Sequence, residues 1–290
     1  MLIRPRDKAA EFGRLRKGGT ERKGLSMGFG CFDGPIDQAG NIRLAKSYLS
    51  IFTGYPSSGK SEFVDAVMLN MALIHGWKTL YFSPENHPVE EHLAKLSEKY
   101  LGKPIYRFDK DDSKKSIEFL QDFFCWMDPE NPELDTLIEL ALQKHKEDGI
   151  DAIVIDPWNS VTHHRGQELV HEYLQVALTK LIRFSRRNNV HVAVVAHPKT
   201  PQKDKDGNYP TPDLYSISDG AMWRNKADYG CVVHRPDITK NRVEIHWQKR
   251  KYKWMGTPGI RTMDYDVPTG RFKATDELEY LLPTDIEAPF

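Results

Sequence analysis

The stretch GYPSSGKS, residues 54–61, matches the pattern G-x-x-x-x-G-K-S/T at every fixed position. An apolar segment at 49–53 precedes it, and an amphipathic segment at 60–75 follows it. A glycine-rich turn between a strand and a helix is the setting in which this pattern binds phosphate. A chance match in a Ser- and Gly-rich turn is the alternative, and the flanking strand and helix count against it. The stretch predicts a nucleoside triphosphate site in an α/β domain, with ATP or another nucleoside triphosphate as the ligand.

Each residue type in the loop has a physical role. Gly54 and Gly59 allow the chain to curl so that its N–H groups point at the phosphates, and the positive end of the helix dipole adds to this attraction. We expect Lys60 to reach the terminal phosphates and Ser61 to bind Mg²⁺. The predicted nucleotide-binding residues of the loop are Gly54, Tyr55, Pro56, Ser57, Ser58, Gly59, Lys60 and Ser61.

The rest of the chain alternates between strand and helix patterns. Apolar runs predict strands at 49–54, 79–83, 123–126, 151–156 and 190–197, and helical spacing predicts helices at 60–75, 88–100, 133–147 and 167–188. This alternation indicates a mostly parallel sheet flanked by helices. Shorter runs at 229–235, 242–249, 260–266 and 270–272 are interpreted as an antiparallel extension of the sheet edge.

Charge divides the chain into three parts. Lys and Arg together number 41, as do Asp and Glu, so any contact with a nucleic acid backbone must come from local patches. Residues 1–24 carry eight basic and three acidic side chains and are predicted to form a basic linker arm with at most one short helix. Residues 25–273 form the predicted domain. Residues 274–290 hold five acids and no Lys or Arg, which predicts an exposed acidic tail.

Cysteine and hydropathy patterns bear on location. Cys31, Cys125 and Cys231 lie far apart and form no CxxC spacing, which favours a reducing interior. No apolar run approaches the roughly 20 residues that span a bilayer, so no membrane partner is expected. We expect a soluble protein in the cytoplasm of a bacterium or a phage-infected cell, with the matrix of an organelle as the alternative.

Three polar residues at strand ends complete the predicted site. Asp156 ends an apolar strand and would hold Mg²⁺, directly or through water. Glu85 follows the strand at 79–83 and would orient or deprotonate water, if that strand lies beside the strand at 49–53. His197 ends the strand at 190–197 and would sense the γ-phosphate. The alternatives are an ordinary strand-ending Asp, a helix-capping Glu and a surface His.

Eight segments together resemble the helicase domain of Twinkle-like and phage primase-helicase proteins, which are relatives of DnaB. The resemblance runs in order through GYPSSGKSEF, FSPENHP, HLAKLSEKYLGKP, GIDAIVIDPWNS, VHVAVVAHP, LYSISDGAMWRNKADYG, QKRKYKWMG and MDYDVPTGRF, and covers roughly residues 24–273. It implies a RecA-like P-loop NTPase core in residues 25–273, acting as an ATP-dependent replicative DNA helicase. Such proteins form hexameric rings that encircle one DNA strand, with the active site between subunits.

The resemblance also implies roles for individual residues. Lys60 and Ser61 correspond to the phosphate lysine and the metal serine, Glu85 to the catalytic glutamate, and Asp156 to the second metal-site acid. His197 corresponds to the γ-phosphate sensor that connects to the DNA loop. The family sandwiches the nucleotide base between two residues that correspond to Arg235 and Tyr265. Single-stranded or forked DNA and a homo-oligomeric ring are the implied partners, and a separate primase or polymerase is a candidate partner.

Two positions depart from the family pattern. A K-x-R element normally sends an arginine finger into the neighbouring site, whereas this chain has Lys249-Arg250-Lys251 there. Either Lys251 acts as a weaker point charge or Arg250 takes over, and Arg and Lys are not interchangeable at a transition state. Asp219-Gly220 replaces the usual Gly-Ser, which leaves the role of that turn open.

The loop PKTPQKDKDGNYPTPDLY, which follows His197, is the predicted DNA-binding element. Lys199, Lys203 and Lys205 would pair with successive phosphates of a single strand, and Arg165 in a second loop would also line the channel. A solvated loop that binds nothing is the alternative for the first set. For the adjacent His163 and His164 a metal site is the alternative, without a suitable third ligand.

Two other functions fit parts of the pattern. A RecA-class DNA-binding ATPase that is not a motor, for example a recombinase-like or remodelling protein, shares the nucleotide site. A small-molecule kinase with a P-loop would instead have an arginine-rich lid segment. We favour the helicase motor because the chain has a lysine-containing loop after His197 and a cationic element at 249–253.

Overall fold

The structure, a computed structural model, describes residues 4–16, 24–163, 169–199, 205, 209–218 and 220–275. The strands are β1 (Leu49–Thr53), β2 (Thr79–Phe82), β3 (Phe124–Trp126), β4 (Ala152–Ile155), β5 (His191–Val195), β6 (Tyr229–His234), β7 (Arg242–Arg250), β8 (Gly259–Asp266) and β9 (Arg271–Ala274). The helices are α1 (Ala9–Arg16), α2 (Lys60–His75), α3 (Val89–Leu101), α4 (Lys110–Phe123), α5 (Leu134–Asp148), α6 (Val170–Asn188) and α7 (Gly220–Lys226). Short 3-10 turns lie between several of these elements. The predicted α/β class is confirmed.

Within the described residues nine strands form one sheet, in the order β3-β2-β4-β5-β1-β6-β7-β8-β9. Strands β3, β2, β4, β5, β1 and β6 run parallel to one another, and β7, β8 and β9 continue the sheet in antiparallel fashion. The prediction that 229–235 belongs to the antiparallel extension is wrong, because β6 pairs in parallel with β1. An apolar run does not indicate in which direction its strand runs relative to its neighbours, so the parallel pairing of β6 could not be predicted from the sequence of 229–235.

Helices cover both faces of the sheet. Side chains alternate along each strand, so Phe52 packs on one face with α2, α3 and α4, while Ile51 packs on the other with α5, α6 and α7. All residues of β1, β2, β4, β5 and β6 are buried, as expected for parallel strands enclosed on both sides.

Helix α2 is delimited by two glycines. Gly59 precedes its first residue with φ of 90°, and Gly76 follows its last residue with φ of 66°, donating its N–H to the Ala72 carbonyl at 2.9 Å. Both positions need the left-handed backbone region that glycine enters without steric cost. The phosphate loop is therefore joined directly to the amino end of a buried helix.

Two helices escaped the sequence prediction. Helix α4 is mostly polar on its surface and lacks a long apolar stripe, but a capping box marks its start, in which Asp109 accepts from the Asp112 N–H at 2.8 Å. Helix α7 has only seven residues, and its buried Trp223 anchors it. The short helix expected in the linker arm is α1. Residues 276–290 of the acidic tail lie outside the described residues.

The core beneath the phosphate loop is aromatic. Phe63 of α2 is fully buried, and its ring centroid lies 5.8 Å from Phe29, 6.3 Å from Phe32, 6.4 Å from Phe52 and 5.6 Å from Phe272. Two of these pairs, those with Phe32 and Phe272, have the edge-to-face geometry that aromatic rings prefer. This cluster fixes α2 against β1 and β9, and with it the position of the loop between β1 and α2.

Phe63→Ala is expected to lower the free energy of unfolding by about 3–5 kcal/mol, because it removes a buried ring and leaves a cavity between four aromatic neighbours. Denaturant melts followed by far-ultraviolet circular dichroism measure this change. Phe12→Ala is the matched control, since Phe12 is 68% exposed on α1, and it should change stability by no more than about 0.5 kcal/mol. Equal, small effects of both substitutions would contradict this description of the core.

Candidate functional site

The phosphate loop curls as the motif predicts. Ser57 with φ of 61° and Gly59 with φ of 90° both occupy the left-handed region, which turns successive N–H groups toward one centre. Gly54 has no room for a side chain, because a Cβ there would lie 2.1 Å from the Val233 carbonyl oxygen and 2.7 Å from Ser58 Oγ. The Ser58 hydroxyl is buried and lacks a hydrogen-bond partner among the described residues. The loop therefore contains one buried hydroxyl, that of Ser58, that a bound ligand could satisfy.

Lys60, the first residue of α2, is 6% exposed. Its Nζ donates to the Tyr55 carbonyl at 3.1 Å, within the loop itself. Burial lowers the pKa of Lys60, and the nearby carboxylates of Asp156 and Glu85 partly oppose this shift. A desolvated cation is stabilised by an anion placed beside it, so the electrostatics favour binding of a phosphate.

Asp156 follows the last residue of β4 and lies beside the phosphate loop. Burial raises the pKa of Asp156 to about 6, while a hydrogen bond from Ser61 and the charge of Lys60 oppose the rise. Its Oδ1 atom is buried without a hydrogen-bond partner among the described residues. Asp65 and Glu85 add repulsion that raises the pKa further. A cation at this point would satisfy the unpaired oxygen and relieve that repulsion.

The donor set fits Mg²⁺. Ser61 and Asp156 offer a hydroxyl and a carboxylate, the hard oxygen ligands that Mg²⁺ prefers. No group of three or more His, Cys, Asp and Glu side chains able to hold a metal exists among the described residues. Mg²⁺ usually keeps several water ligands and shares phosphate oxygens with its nucleotide, so two protein ligands are enough.

Glu85 and His197 meet above the phosphate loop. The Nε2 atom of His197 lies 3.5 Å from Oε1 of Glu85, and the Glu85 side chain is 54% exposed. Desolvation lowers the pKa of His197, as does the charge of Lys60, whereas Glu85 raises it. His197 is therefore neutral near pH 7, and it can donate or accept a hydrogen bond without carrying a charge.

The expected adjacency of β1 and β2 is wrong. Strands β4 and β5 lie between them in the sheet. Glu85 nevertheless reaches the phosphate loop, because it lies three residues beyond β2, in the turn that leads to α3, and its charge acts on Lys60. Strand order is a property of the whole sheet and was not readable from the spacing of 25 residues between Lys60 and Glu85.

The two predicted base-stacking residues are held in different ways. Arg235 follows β6 at the same edge of the sheet as the phosphate loop, and its Nε donates to the Lys240 carbonyl at 2.7 Å. Tyr265 of β8 is partly buried, with its ring 5.1 Å from that of Phe272. Burial and then the nearby Glu62 carboxylate, which also forms a hydrogen bond with the phenol, raise the pKa of Tyr265. Their stacking on a base stays a prediction.

The candidate finger residues lie at the amino ends of the parallel strands, opposite the carboxyl ends where the phosphate loop lies. Arg250 pairs with Tyr229, and Tyr229 pairs with Ser50 at the start of β1. The phosphate loop begins after the other end of β1, about 13 Å of strand away. The Nζ atom of Lys251 is 2.7 Å from Oδ1 of the buried Asp228. Neither cation is near the phosphate loop of its own chain.

The predicted DNA-binding residues are only partly described. Lys199 is exposed, and its N–H donates to the Ser216 carbonyl at 2.7 Å, which closes the base of the loop that follows His197. Lys205 is also exposed. Lys203, Arg165 and Asp219 lie outside the described residues.

Two sets of contacts near the site escaped the sequence analysis. Lys95 of α3 donates to Asn86 Oδ1 at 2.9 Å and forms an ion pair with Glu62 Oε1 at 2.6 Å, so it ties the Glu85 turn to α2. Lys95 and Lys99 are four residues apart and therefore lie on one face of α3. This spacing was the sequence feature that could have indicated their shared ion pair with Glu62. The second contact joins Tyr55 to Pro210, 155 residues away, and no local pattern indicates it.

Comparison with known proteins identifies relatives. A family model described as "AAA domain" matches residues 40–203, more than half of the chain. The Twinkle homolog protein, chloroplastic/mitochondrial, of Arabidopsis thaliana is 37% identical over 245 residues, which cover 77% of this chain and 33% of that protein. A probable plasmid replicative DNA helicase of Chlamydia psittaci is 25% identical over 269 residues, covering 88% of this chain and 56% of that protein. The chain thus spans between a third and just over half of these relatives.

Solved structures agree on the fold. The structure titled "ATPase Domain of G40P" has a TM-score of 0.73 at 14% identity and covers 92% of this chain and 97% of its own. A DnaB-like replicative helicase, studied with its interactions with primase, has a TM-score of 0.72 at 15% identity and covers 94% of this chain and 67% of its own. These likenesses confirm the predicted RecA-like core with antiparallel C-terminal strands.

Membrane insertion finds no support in the helices. None of those in the described segments is both long and apolar enough to cross a bilayer.

The family match, the relatives and the geometry of the phosphate loop lead to one assignment. The chain belongs to the AAA domain family.

Proposed function

We propose that this chain is the motor domain of a replicative DNA helicase, which hydrolyses ATP and translocates on single-stranded DNA. One observation carries the proposal. The phosphate loop, Asp156 and the Glu85–His197 pair converge at one edge of the sheet, and the lysine-containing loop begins immediately after His197. Nucleotide chemistry and the predicted DNA contact are thus joined by a single short connection.

The chain's own groups account for the hydrolytic step. Lys60 neutralises charge on the transferred phosphoryl group, and Glu85 orients the attacking water. Mg²⁺, held by Ser61 and Asp156, would neutralise the phosphate oxygens. His197, neutral and in contact with Glu85, forms a hydrogen bond with the γ-phosphate when that group is present. Loss of the γ-phosphate releases His197 and shifts the loop that starts at Pro198.

The cations at 250–251 act on a neighbouring protomer. Their distance from the phosphate loop of their own chain excludes action there, whereas a head-to-tail arrangement would bring them to the next site. Lys251 forms an ion pair with Asp228 of its own chain, whereas Arg250 has no ion pair with any residue that the structure describes. We therefore assign the finger to Arg250, whose planar guanidinium also suits a phosphoryl group better than an ammonium does. A ring of such protomers, hexameric in the related family, encircles the DNA.

Lys60→Ala is expected to abolish nucleotide binding, because it removes the buried cation at the phosphates. Glu85→Gln is expected to keep binding and to lower turnover by about 10²–10⁴-fold, because the amide cannot accept a proton from water. Binding of a fluorescent ATP analogue and single-stranded-DNA-stimulated phosphate release measure the two effects. Normal stimulated turnover in Glu85→Gln would refute the role of Glu85.

Lys199→Ala is expected to raise the concentration of single-stranded DNA that gives half-maximal stimulation by about tenfold and to reduce the salt dependence of binding, because each protomer loses one phosphate contact. Lys114→Ala is the matched control. Lys114 is 73% exposed on α4 and pairs with Glu118 at 3.8 Å. If both variants respond to DNA and salt like the parent chain, Lys199 does not contact the strand.

Arg250→Ala is expected to lower turnover by about 10³-fold or more with nucleotide binding intact, as for other fingers. Lys251→Ala should have the smaller effect. Mixing Arg250→Ala with Lys60→Ala protomers should restore part of the activity, since one protomer supplies the phosphate loop and the other the finger. Failure of all mixtures to regain turnover, together with a particle mass of one protomer at every nucleotide and DNA concentration, would overturn the proposed assembly.

Strand displacement on a forked substrate separates the motor from a DNA-binding ATPase that does not translocate. A motor displaces the strand in an ATP-dependent reaction that Lys60→Ala abolishes. Stimulated hydrolysis without displacement, at saturating protein, would favour the non-motor function.

A further inference from the structure

Tyr55 joins the phosphate loop to the segment 209–218, the C-terminal limb of the loop that follows His197. Its phenol donates to the Pro210 carbonyl at 2.9 Å, and its ring centroid lies 5.7 Å from that of Tyr209. At its other end, the Tyr55 carbonyl accepts from Lys60 Nζ at 3.1 Å. One residue thus connects the phosphate-binding ammonium with a segment more than 150 positions away in sequence.

The backbone of Tyr55 has little freedom to absorb a movement. Gly54 is packed so closely on the Val233 carbonyl that a Cβ would lie 2.1 Å from it, and Pro56 restricts the backbone on the other side. When Lys60 turns toward a phosphate, its bond to the Tyr55 carbonyl is exchanged for one to the ligand. A shift of the Tyr55 backbone would then reach the phenol, because the packing of Gly54 and the ring of Pro56 limit how the backbone on either side can adjust.

The segment 209–218 is held at its base and contacts Tyr55 near its tip. The Leu214 N–H donates to Gln248 Oε1 at 3.1 Å, and the Ser216 carbonyl accepts from the Lys199 N–H at 2.7 Å. Tyr209 is 49% exposed, so the contact with Tyr55 lies at the surface. A contact of this kind breaks and re-forms at small free-energy cost, which a coupling element requires.

The Tyr55 phenol remains a hydrogen-bond donor under working conditions. Burial raises the pKa of Tyr55, and the nearby Asp213 and Tyr209 raise it further. The hydroxyl is therefore protonated at neutral pH, and the Pro210 carbonyl has no proton of its own to offer.

We propose that Tyr55 is a positioning residue that couples occupancy of the phosphate loop to the position of the segment 209–218, as a second route beside His197. The inference rests on the proposed function for its meaning, since that loop is the predicted DNA contact. His197 acts at the N-terminal end of the loop and Tyr55 at its C-terminal limb. Nucleotide occupancy would therefore affect both ends of the loop.

Hydrogen exchange measured by mass spectrometry tests the coupling without DNA. In the parent chain, a non-hydrolysable ATP analogue should change the exchange rate of peptides within 209–218 by about fivefold, the equivalent of one net hydrogen bond. Tyr55→Phe, which removes only the hydroxyl, should abolish that change at a nucleotide concentration that saturates each variant. Tyr215→Phe is the matched control, since the Arg224 guanidinium lies over the Tyr215 ring 5.0 Å from its centroid, and it should respond like the parent.

Each remaining outcome overturns the inference. A full nucleotide response in Tyr55→Phe would mean that the phenol carries no signal. If Tyr55→Phe changes the exchange rate of 209–218 by the same factor with and without nucleotide, Tyr55 only holds the segment in place. Tyr209→Ala, which removes the ring that packs on Tyr55, should also reduce the nucleotide response, and the double variant should lose less than the sum of the two, because both act on the junction of Tyr55 with residues 209 and 210.

DNA-stimulated turnover distinguishes failure of this inference from failure of the proposed function. If the parent chain shows no stimulation by single-stranded DNA, the helicase proposal fails, while the exchange experiment still judges the coupling. If the parent is stimulated, Tyr209→Ala should lower the stimulation by about fivefold at a DNA concentration that saturates each variant. Unchanged stimulation in Tyr209→Ala would then overturn the coupling and leave the helicase assignment intact.

Discussion

Parallel pairing of the central strands is the constraint on which the site depends. Strands β2, β4, β5, β1 and β6 all end at one edge of the sheet, and the groups that surround the phosphate loop follow those ends. Loops at the carboxyl ends of parallel strands form the crevice in which α/β proteins bind ligands. Residues far apart in sequence, such as Glu85 and Asp156, are thereby brought to one centre without long side chains or unusual turns.

The charges of the site make it unfavourable without a ligand. Lys60 and Asp156 are both almost fully buried, and burial opposes the charged form of each. Asp65 and Glu85 add negative charge beside Asp156. A phosphate beside the lysine and a cation beside the carboxylate would each remove a cost that folding has already incurred. Binding affinity and ligand-dependent stability therefore share one origin, the desolvation of these two groups.

Local features of the site and of the strands were predictable, and their arrangement was not. The phosphate loop, β1 and α2 follow from a short motif whose glycines and lysine have specific physical roles. The direction of β6 and the separation of β1 from β2 depend on strand order, which an apolar run does not encode. Helix α4 was missed because its first turns are polar and its start is marked by a capping box, not by an apolar stripe. The contact of Tyr55 with Pro210 required the folded chain.

The sheet also separates two elements that the proposed function brings together. The phosphate loop leaves the carboxyl end of β1, while Arg250 pairs through β6 with the first residues of that strand. A strand of β1's length is too rigid to bring its two ends together, so under the proposed function each protomer would hold half of each of two sites. An assembly that closes this gap would make hydrolysis depend on the relative position of neighbouring protomers. The segments beside Tyr55 and His197, which follow the carboxyl ends of the strands, would then convert that dependence into movement along DNA.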